Sequence, residues 1–291
     1  MLRKVQAEPM PAAELLGDRG NGYNRDELPH IANVLADELT SALEFKIPSD
    51  PDARLVSINA PAAFGAELLR TLAMRLRLAQ KRQPIKKLLV TSAVPGEGKT
   101  LLAANLAITL ALQLKRVLLI DGDLRSASLS RRFDIVDESF VATWTEDGTH
   151  RLPLRRKADG LPLWVLPAGR PADPPGNILQ SGEFADAIAA SEGKFDWIVL
   201  DSPPLVPFGD AGMLASVSDA VVLVTRRGVT PKNALRSALM TIDKSKIIAT
   251  VLNCATVGSQ RYYREYYAHV RGALPAPRKT AALQPQILNP K

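Results

Sequence analysis

The sequence predicts a doubly wound α/β fold built on a mostly parallel sheet, spanning Leu88 to Asn253. Two observations carry this. Short apolar runs (Leu88–Val90, Val117–Ile120, Ile198–Leu200, "DAVVLVT" and "KIIATVLN") alternate with longer stretches of helical apolar period. Runs apolar at every position suit strands covered on both faces, and strand–helix alternation implies parallel crossovers. The second observation is chemical. Three of the runs end in polar or acidic residues: Thr91-Ser92 before a glycine turn, Asp121, and Asp201. In open α/β sheets, ligands bind beyond the carboxyl ends of the strands.

The elements follow in order. Residues 1–60 form an N-terminal extension carrying Pro9, Pro11, Pro29, Pro48 and Pro51, so most of it is expected to be irregular. Within it "HIANVLADELTSALEF" sets Ile31, Val34, Leu35, Leu39 and Leu43 at helical spacing, which predicts one amphipathic helix docked on the domain. The domain itself is placed at 61–258. It opens with the helix "AAFGAELLRTLAMRLRLAQKRQ", then a strand, the turn "SAVPGEGKT", and the helix "LLAANLAITLALQL". "KRVLLIDGDLRS" gives the next strand and "ASLSRRF" a short helix, while Phe133–Gly160 is polar and mixed and reads as loop. "LPLWVLPAG" is a strand and "PPGNILQSGEFADAIAASEG" a helix begun near Pro175. The strand in "FDWIVLDSPP" is stopped by Pro203 and Pro204. "DAVVLVT", the helix "TPKNALRSALMTIDK" and "KIIATVLN", ending at Asn253, complete the domain. Residues 259–291 are a tail rich in tyrosine and proline, expected to be flexible.

Composition narrows the function classes. At 291 residues the chain holds one sizeable α/β domain with appendages. The single cysteine, Cys254, excludes a disulfide framework and a cysteine-ligated metal, and suits a reducing compartment. His30, His150 and His269 lie far apart with no ligand spacing. No run approaches the roughly 18 apolar residues of a membrane span, and the first 20 residues lack a secretory apolar core. A cytoplasmic protein is expected. Net charge is +7. Arg70, Arg75, Arg77, Lys81, Arg82, Lys86 and Lys87 form a basic run without an acid. A solvated helix face explains such a run most simply; an acidic partner or peripheral contact with an anionic membrane are the alternatives. No nucleic-acid module accompanies it, so nucleic acid is not an expected partner.

The glycine turn is the first chemical motif. A strand, then Pro95, Gly96, Glu97, Gly98, Lys99, Thr100 and Leu101, then a helix, is the setting of a phosphate-binding loop. Backbone N–H groups converge there on an anion at the positive end of the helix. Lys99 would reach the β- and γ-phosphates and the Thr100 hydroxyl would sit on Mg²⁺. A glycine turn that merely caps a helix is the simpler alternative, but Lys-Thr directly after glycine, behind a strand, argues against it. Asp121 and Asp123 close one strand and Asp201 another, giving Thr100, Asp121 and Asp201 as metal ligands. These elements together specify ATP and Mg²⁺. ATP is preferred to GTP because the last strand runs into Asn253, Cys254, Ala255 and Thr256 rather than Asn-Lys-x-Asp, and Asn253 can bond an adenine edge. With Lys99 as the charge stabiliser, Asp121 or Asp123 would be the base, and the sequence leaves that choice open.

"SAVPGEGKT", "LLIDGDLR" and "IVLDSPP", in this order and spacing, resemble the Walker A, A′ and B elements of the bacterial tyrosine kinases (BY-kinases) of capsule and exopolysaccharide synthesis, within the deviant P-loop ATPases. Ala93, where the general P-loop has glycine, agrees with that family's first motif. "LPAGR" followed by prolines, and "VLN", are also similar to it. The resemblance implies an ATP-dependent protein-tyrosine autokinase whose acceptors are Tyr262, Tyr263, Tyr266 and Tyr267. It also implies self-association and a separate membrane polysaccharide co-polymerase whose cytoplasmic tail activates the kinase and recruits it to the inner face of the membrane. The family's Glu-x-x-Arg-x-x-Arg helix reads Glu67, Arg70, Ala73 here. The rival reading is a non-kinase ATPase switch of the partition or septum-site type, or a degenerate kinase acting as a nucleotide-gated adaptor. The switch proteins carry a second loop lysine where this chain has Val94, followed by Pro95.

Overall fold

The structure is a computed structural model that describes residues 43–135, 160–168, 183–207 and 209–255, with short pieces between 143 and 157 and the single residues Gly176 and Leu179. Six parallel strands form the body of the sheet, in the order β7 (Leu163–Leu166), β3 (Val117–Asp121), β8 (Trp197–Asp201), β2 (Lys87–Ser92), β9 (Ala220–Arg226), β10 (Ile247–Asn253). Beyond β7 the short β6 (Arg155–Lys157) runs antiparallel, and β1 (Leu43–Phe45) pairs with it at the edge. A separate antiparallel pair, β4 (Thr143–Trp144) and β5 (His150–Arg151), lies outside this sheet. The doubly wound parallel sheet is therefore as the sequence predicts.

The period of two along each strand divides the core into two layers. Leu88, Val90, Val117, Leu119 and Val199 face one layer, and Leu89, Leu118, Ile120, Ile198 and Leu200 face the other. The first layer is filled by α3 (Lys99–Leu112), whose Ala103 to Ala111 are buried without a break. A helix so enclosed needs no polar face, which is why its sequence is nearly all apolar. The two polar side chains within that buried stretch are satisfied. Asn105 accepts the Ser57 amide at 3.2 Å through Oδ1, and Thr109 Oγ1 meets Ser57 Oγ at 2.8 Å. These bonds pin α1 (Val56–Asn59), and with it fully buried Leu55, against α3, ahead of the long α2 (Phe64–Gln80). Truncating a leucine such as Leu106 in this layer should cost about 2–5 kcal/mol.

Three readings are corrected. The predicted amphipathic helix is contradicted at its end, because Leu43–Phe45 is a strand paired with Arg155–Lys157; its earlier residues lie outside the described ones. Phe133–Gly160, read as loop, contributes β4, β5 and β6, which are too short to show as periodicity. The helix α6 (Asp210–Val217) was not anticipated, being short and apolar on more than one side. The expected helix from Pro175 is described as α5 (Glu183–Ser191), and most of its first half lies outside the described residues. The short helix after β3 is α4 (Ser128–Arg132), as expected, and α7 (Lys232–Ala238) ends earlier than the sequence suggested. The tyrosine cluster lies outside the described residues. Among the described residues no helix is long and apolar enough to cross a membrane.

Candidate active site

The site is built at the carboxyl edge where β2, β3 and β8 lie side by side. β2 ends at Ser92, the chain turns through Gly96 and Gly98 at φ +77° and +96°, and α3 begins at Lys99. Gly98 is required twice over. Its φ is in the left-handed region, and a Cβ there would stand 2.2 Å from Asn253 Nδ2. The amides of residues 96 to 101 donate to no acceptor among the described residues; the first helical bond is Leu102 N to Gly98 O at 2.9 Å. Unspent N–H groups at the start of a 14-residue helix form an anion cradle.

Lys99 Nζ lies 3.0 Å from Asp123 Oδ2, a nearly buried ion pair at the mouth of that cradle. Asp121 and Asp201 are direct partners across the β3–β8 ladder. Gly122, between Asp121 and Asp123, donates its amide to Asp201 O at 3.0 Å, and a Cβ on it would lie 2.6 Å from that same oxygen. Asp121 Oδ2 accepts both the Ser130 amide at 2.9 Å and the Ser130 hydroxyl at 2.7 Å, while its Oδ1 is buried without a partner. Both carboxylate oxygens of Asp201 are buried and make no hydrogen bond of ordinary geometry. Burial pushes Asp201 up to about 7, against the pull of the Lys99 charge and with help from neighbouring Asp121. Burial likewise pushes Asp121 up to about 6, opposed by its Ser130 bonds and supported by Asp123.

Buried carboxylate oxygens without donors are costly unless a cation takes the place of the missing donors. Among the described residues no three histidine, cysteine, aspartate or glutamate side chains gather into an ion cage. Two carboxylates and the Thr100 hydroxyl suffice for Mg²⁺, which keeps waters and substrate phosphates as its other ligands. The donor set fits that ion.

The structure brings together every predicted site residue that it describes. Lys99, Thr100, Asp121, Asp123 and Asp201 converge, Pro95 to Gly98 form the loop, and Lys99 to Leu101 are the first turn of α3. Asn253 is placed differently from a free base reader. Its Nδ2 donates to Glu97 O at 2.9 Å and its Oδ1 accepts the Cys254 amide at 2.8 Å, leaving one hydrogen and one lone pair for an adenine. Sequence reasoning missed Ser130, whose hydroxyl orients Asp121 and also accepts the Ala168 amide at 2.9 Å, joining β3 to the loop after β7. It also missed the ion pair of Arg125 with Asp210, 2.8 Å long, which ties the turn after β3 to α6. Neither has a sequence signature, because both partners are brought in from separate elements.

Comparison with known proteins agrees with this geometry. Residues 88–263 match the family model of the CobQ/CobB/MinD/ParA nucleotide binding domain. The tyrosine-protein kinase CpsD of Streptococcus agalactiae is 32% identical over 192 residues, covering 62% of this chain and 80% of that protein. The succinoglycan biosynthesis transport protein ExoP of Rhizobium meliloti is 27% identical over 267 residues, covering 87% of this chain and 34% of that longer protein. Among solved structures, the VpsO kinase domain superposes with a TM-score of 0.54 at 31% identity, over 67% of this chain and all of that domain.

Proposed function

We propose, on the premise that this chain belongs to the CobQ/CobB/MinD/ParA nucleotide-binding family and within it to the bacterial tyrosine-protein kinases, that it transfers the γ-phosphoryl group of ATP to tyrosine hydroxyls. The observation that supports it best is the set of buried carboxylate oxygens without a hydrogen-bond partner, Asp121 Oδ1 and both oxygens of Asp201, beside the lysine of a phosphate loop. That pairing is costly without a cation and serves a metal–nucleotide complex.

The chemistry divides among the residues as follows. The amides of residues 96 to 101 and the Lys99 ammonium neutralise charge on the β- and γ-phosphoryl oxygens as the transferring group loosens from its leaving oxygen. Thr100, Asp121 and Asp201 would hold Mg²⁺, which when bound would supply further charge neutralisation on those oxygens. Asp121 suits the metal through its free Oδ1, since Ser130 occupies Oδ2. Asp123 then suits the base. Its Oδ2 is held by Lys99, and that ammonium is drawn towards phosphate when nucleotide enters, freeing the oxygen to take the tyrosine hydroxyl proton. The phenolate oxygen attacks phosphorus, the bond to the ADP oxygen breaks, and the proton rests on Asp123.

The acceptors are Tyr262, Tyr263, Tyr266 and Tyr267, phosphorylated by a neighbouring copy. Residues 259–291 carry six bases and one acid. Each phosphotyrosine adds about −1.5 to −2 charges, so modification of all the cluster reverses the sign of the tail and drives neighbouring tails apart. A role in capsule or exopolysaccharide synthesis is supported by the likeness to ExoP. A membrane polysaccharide co-polymerase with a cytoplasmic tail is the partner this reading calls for, holding the kinase at the inner face of the membrane.

Lys99→Met tests the reading. The side chain is at a loop mouth, so its loss removes charge without opening a cavity. The variant should keep its fold and lose phosphate transfer. Mixed with wild type as an acceptor, it should gain phosphate on its tyrosine cluster by mass spectrometry. Autophosphorylation by the Lys99→Met chain alone would sink the site assignment, and an active wild type that never modifies the cluster would remove the acceptors.

A further inference from the structure

The phosphate loop is held from behind by the ends of β9 and β10. The Glu97 side chain turns away from the cradle and is fully buried, its Oε2 accepting the Val94 amide at 2.8 Å. The Thr230 hydroxyl, in the turn between β9 and α7, donates to Glu97 Oε1. Thr230 Oγ1 also accepts the Arg226 amide at 2.8 Å and lies 3.2 Å from the Arg226 carbonyl, so among the described residues its single proton links that turn to the carboxylate. Arg226, the last residue of β9, donates Nη1 to Gly96 O at 3.1 Å. Asn253, the last of β10, donates to Glu97 O, and the Arg227 amide donates to Asn253 O at 3.0 Å, joining the two strand ends. Every one of these contacts spares the amides of residues 96 to 101. They grip the loop by its carbonyls, by one buried side chain and by the amide of Val94.

We propose that Thr230 and Arg226, acting through the buried Glu97 carboxylate and the Gly96 carbonyl, are positioning residues that fix the curvature of the phosphate loop before a nucleoside triphosphate arrives. This rests on the nucleotide-site reading above, and only on its binding step. A loop without the brace samples other backbone states, and the fraction competent to bind falls. Affinity for the triphosphate then drops by that fraction, while transfer from the bound state is unchanged. The brace therefore acts on KM and leaves kcat alone. Thr230 and Arg226 hold the loop through the Glu97 carboxylate and the Gly96 carbonyl, which separates this role from that of Lys99.

The test uses the full chain, Mg²⁺ and a fluorescent ATP analogue, with thermal denaturation alongside. Thr230→Val keeps the branched shape and removes the hydroxyl, leaving Glu97 Oε1 and the Arg226 amide without their shared partner. It should weaken analogue binding about tenfold, with KM for ATP following and kcat within about threefold. Thr230→Ser, which keeps the hydroxyl, should bind as the wild type does. Arg226→Met should weaken binding by a smaller factor, about threefold, and it serves as the test if Thr230→Val does not fold. The inference is overturned by wild-type affinity in Thr230→Val or, should that variant fail to fold, in Arg226→Met. Equal loss in the serine and valine variants, or a fall in kcat without a change in binding, overturns it too. A wild type that binds the analogue but modifies no tyrosine would defeat the kinase reading and leave this comparison intact. A wild type that binds no analogue would defeat both.

Discussion

Asp201→Asn should make the nucleotide-free protein more stable and the loaded protein less so, and the size of the first effect follows from burial. The Asp201 carboxyl is raised from 3.8 to about 7 in the fold. A raised carboxyl keeps its proton in the folded state while the unfolded chain releases it, so stability is lost as pH climbs from about 4 to about 7 and is flat beyond. A tenfold change in a carboxyl's proton affinity is worth about 1.4 kcal/mol, so above about pH 8 the penalty reaches roughly 4 kcal/mol. That figure is a ceiling, because Asp121 and Asp201 titrate as a pair. Asparagine removes the charge and leaves a buried amide short of partners, at a cost of about 1–3 kcal/mol. The net gain near pH 8 is therefore about 1–3 kcal/mol, or roughly 2–10 °C in Tm for a domain of this size. Near pH 4 the gain disappears, since the wild-type carboxyl is then protonated in the folded state and nearly half protonated in the unfolded one, so little of the penalty remains. Addition of Mg²⁺ and nucleotide should raise the wild-type Tm by mass action and leave the variant nearly unmoved. Melting curves at about pH 4, 6 and 8, with and without Mg²⁺-nucleotide, read all three effects. A stability difference that does not vary with pH, or equal stabilisation of both proteins by Mg²⁺-nucleotide, would refute the assignment of Asp201 as an unpaired metal carboxylate.

Other outcomes follow from the same geometry. Gly98→Ala places a Cβ against Asn253 Nδ2 and strains a backbone at φ +96°, so fluorescent nucleotide binding should be lost. Replacing Asn253 by alanine as well should restore little of it, because the φ strain remains. Ser130→Ala removes one of two donors to Asp121 Oδ2 and orphans the Ala168 amide. It should cost about 1–3 kcal/mol in denaturant titration. It should also shift the Mg²⁺ activation curve to several-fold higher concentration, at unchanged saturating ATP; an unshifted curve would make Ser130 a purely structural residue.

How much of this was legible in the sequence depended on how local the cause was. β2, β3 and β8 were visible because a strand covered on both faces is apolar at every position; Asp121 and Asp201 were visible because each ends such a run, and Lys99 because it closes the glycine turn that follows one. β1 was misread because three residues carry no period; only pairing with β6 makes Leu43–Phe45 a strand. β6 itself was hidden for the same reason. Ser130 sits nine positions from Asp121, and its role arises when the turn after β3 folds back on the strand end. Thr230 and Arg226 reach the phosphate loop from more than a hundred residues away, across a sheet whose order no sequence spacing encodes. Asn253 was singled out for its position at the end of the last strand, and β10 does end there; the partners it meets are the phosphate loop and the Cys254 amide.

The direction of β1 has a practical consequence. β6 runs against the body of the sheet and β1 runs with β6, so Leu43 lies level with Arg155 and, through it, with Val165 near the carboxyl end of β7. At the opposite flank β10 ends at Asn253, at the same rim. The polypeptide thus crosses into and out of the described fold over one rim, the one that carries Lys99 and the aspartates. A fluorophore, affinity handle or fused protein attached just ahead of Leu43 or just after Ala255 would be tethered on the catalytic side of the molecule. The basal side, where Lys87 and Asp219 lie at the starts of β2 and β9, is the quieter attachment point for surface immobilisation.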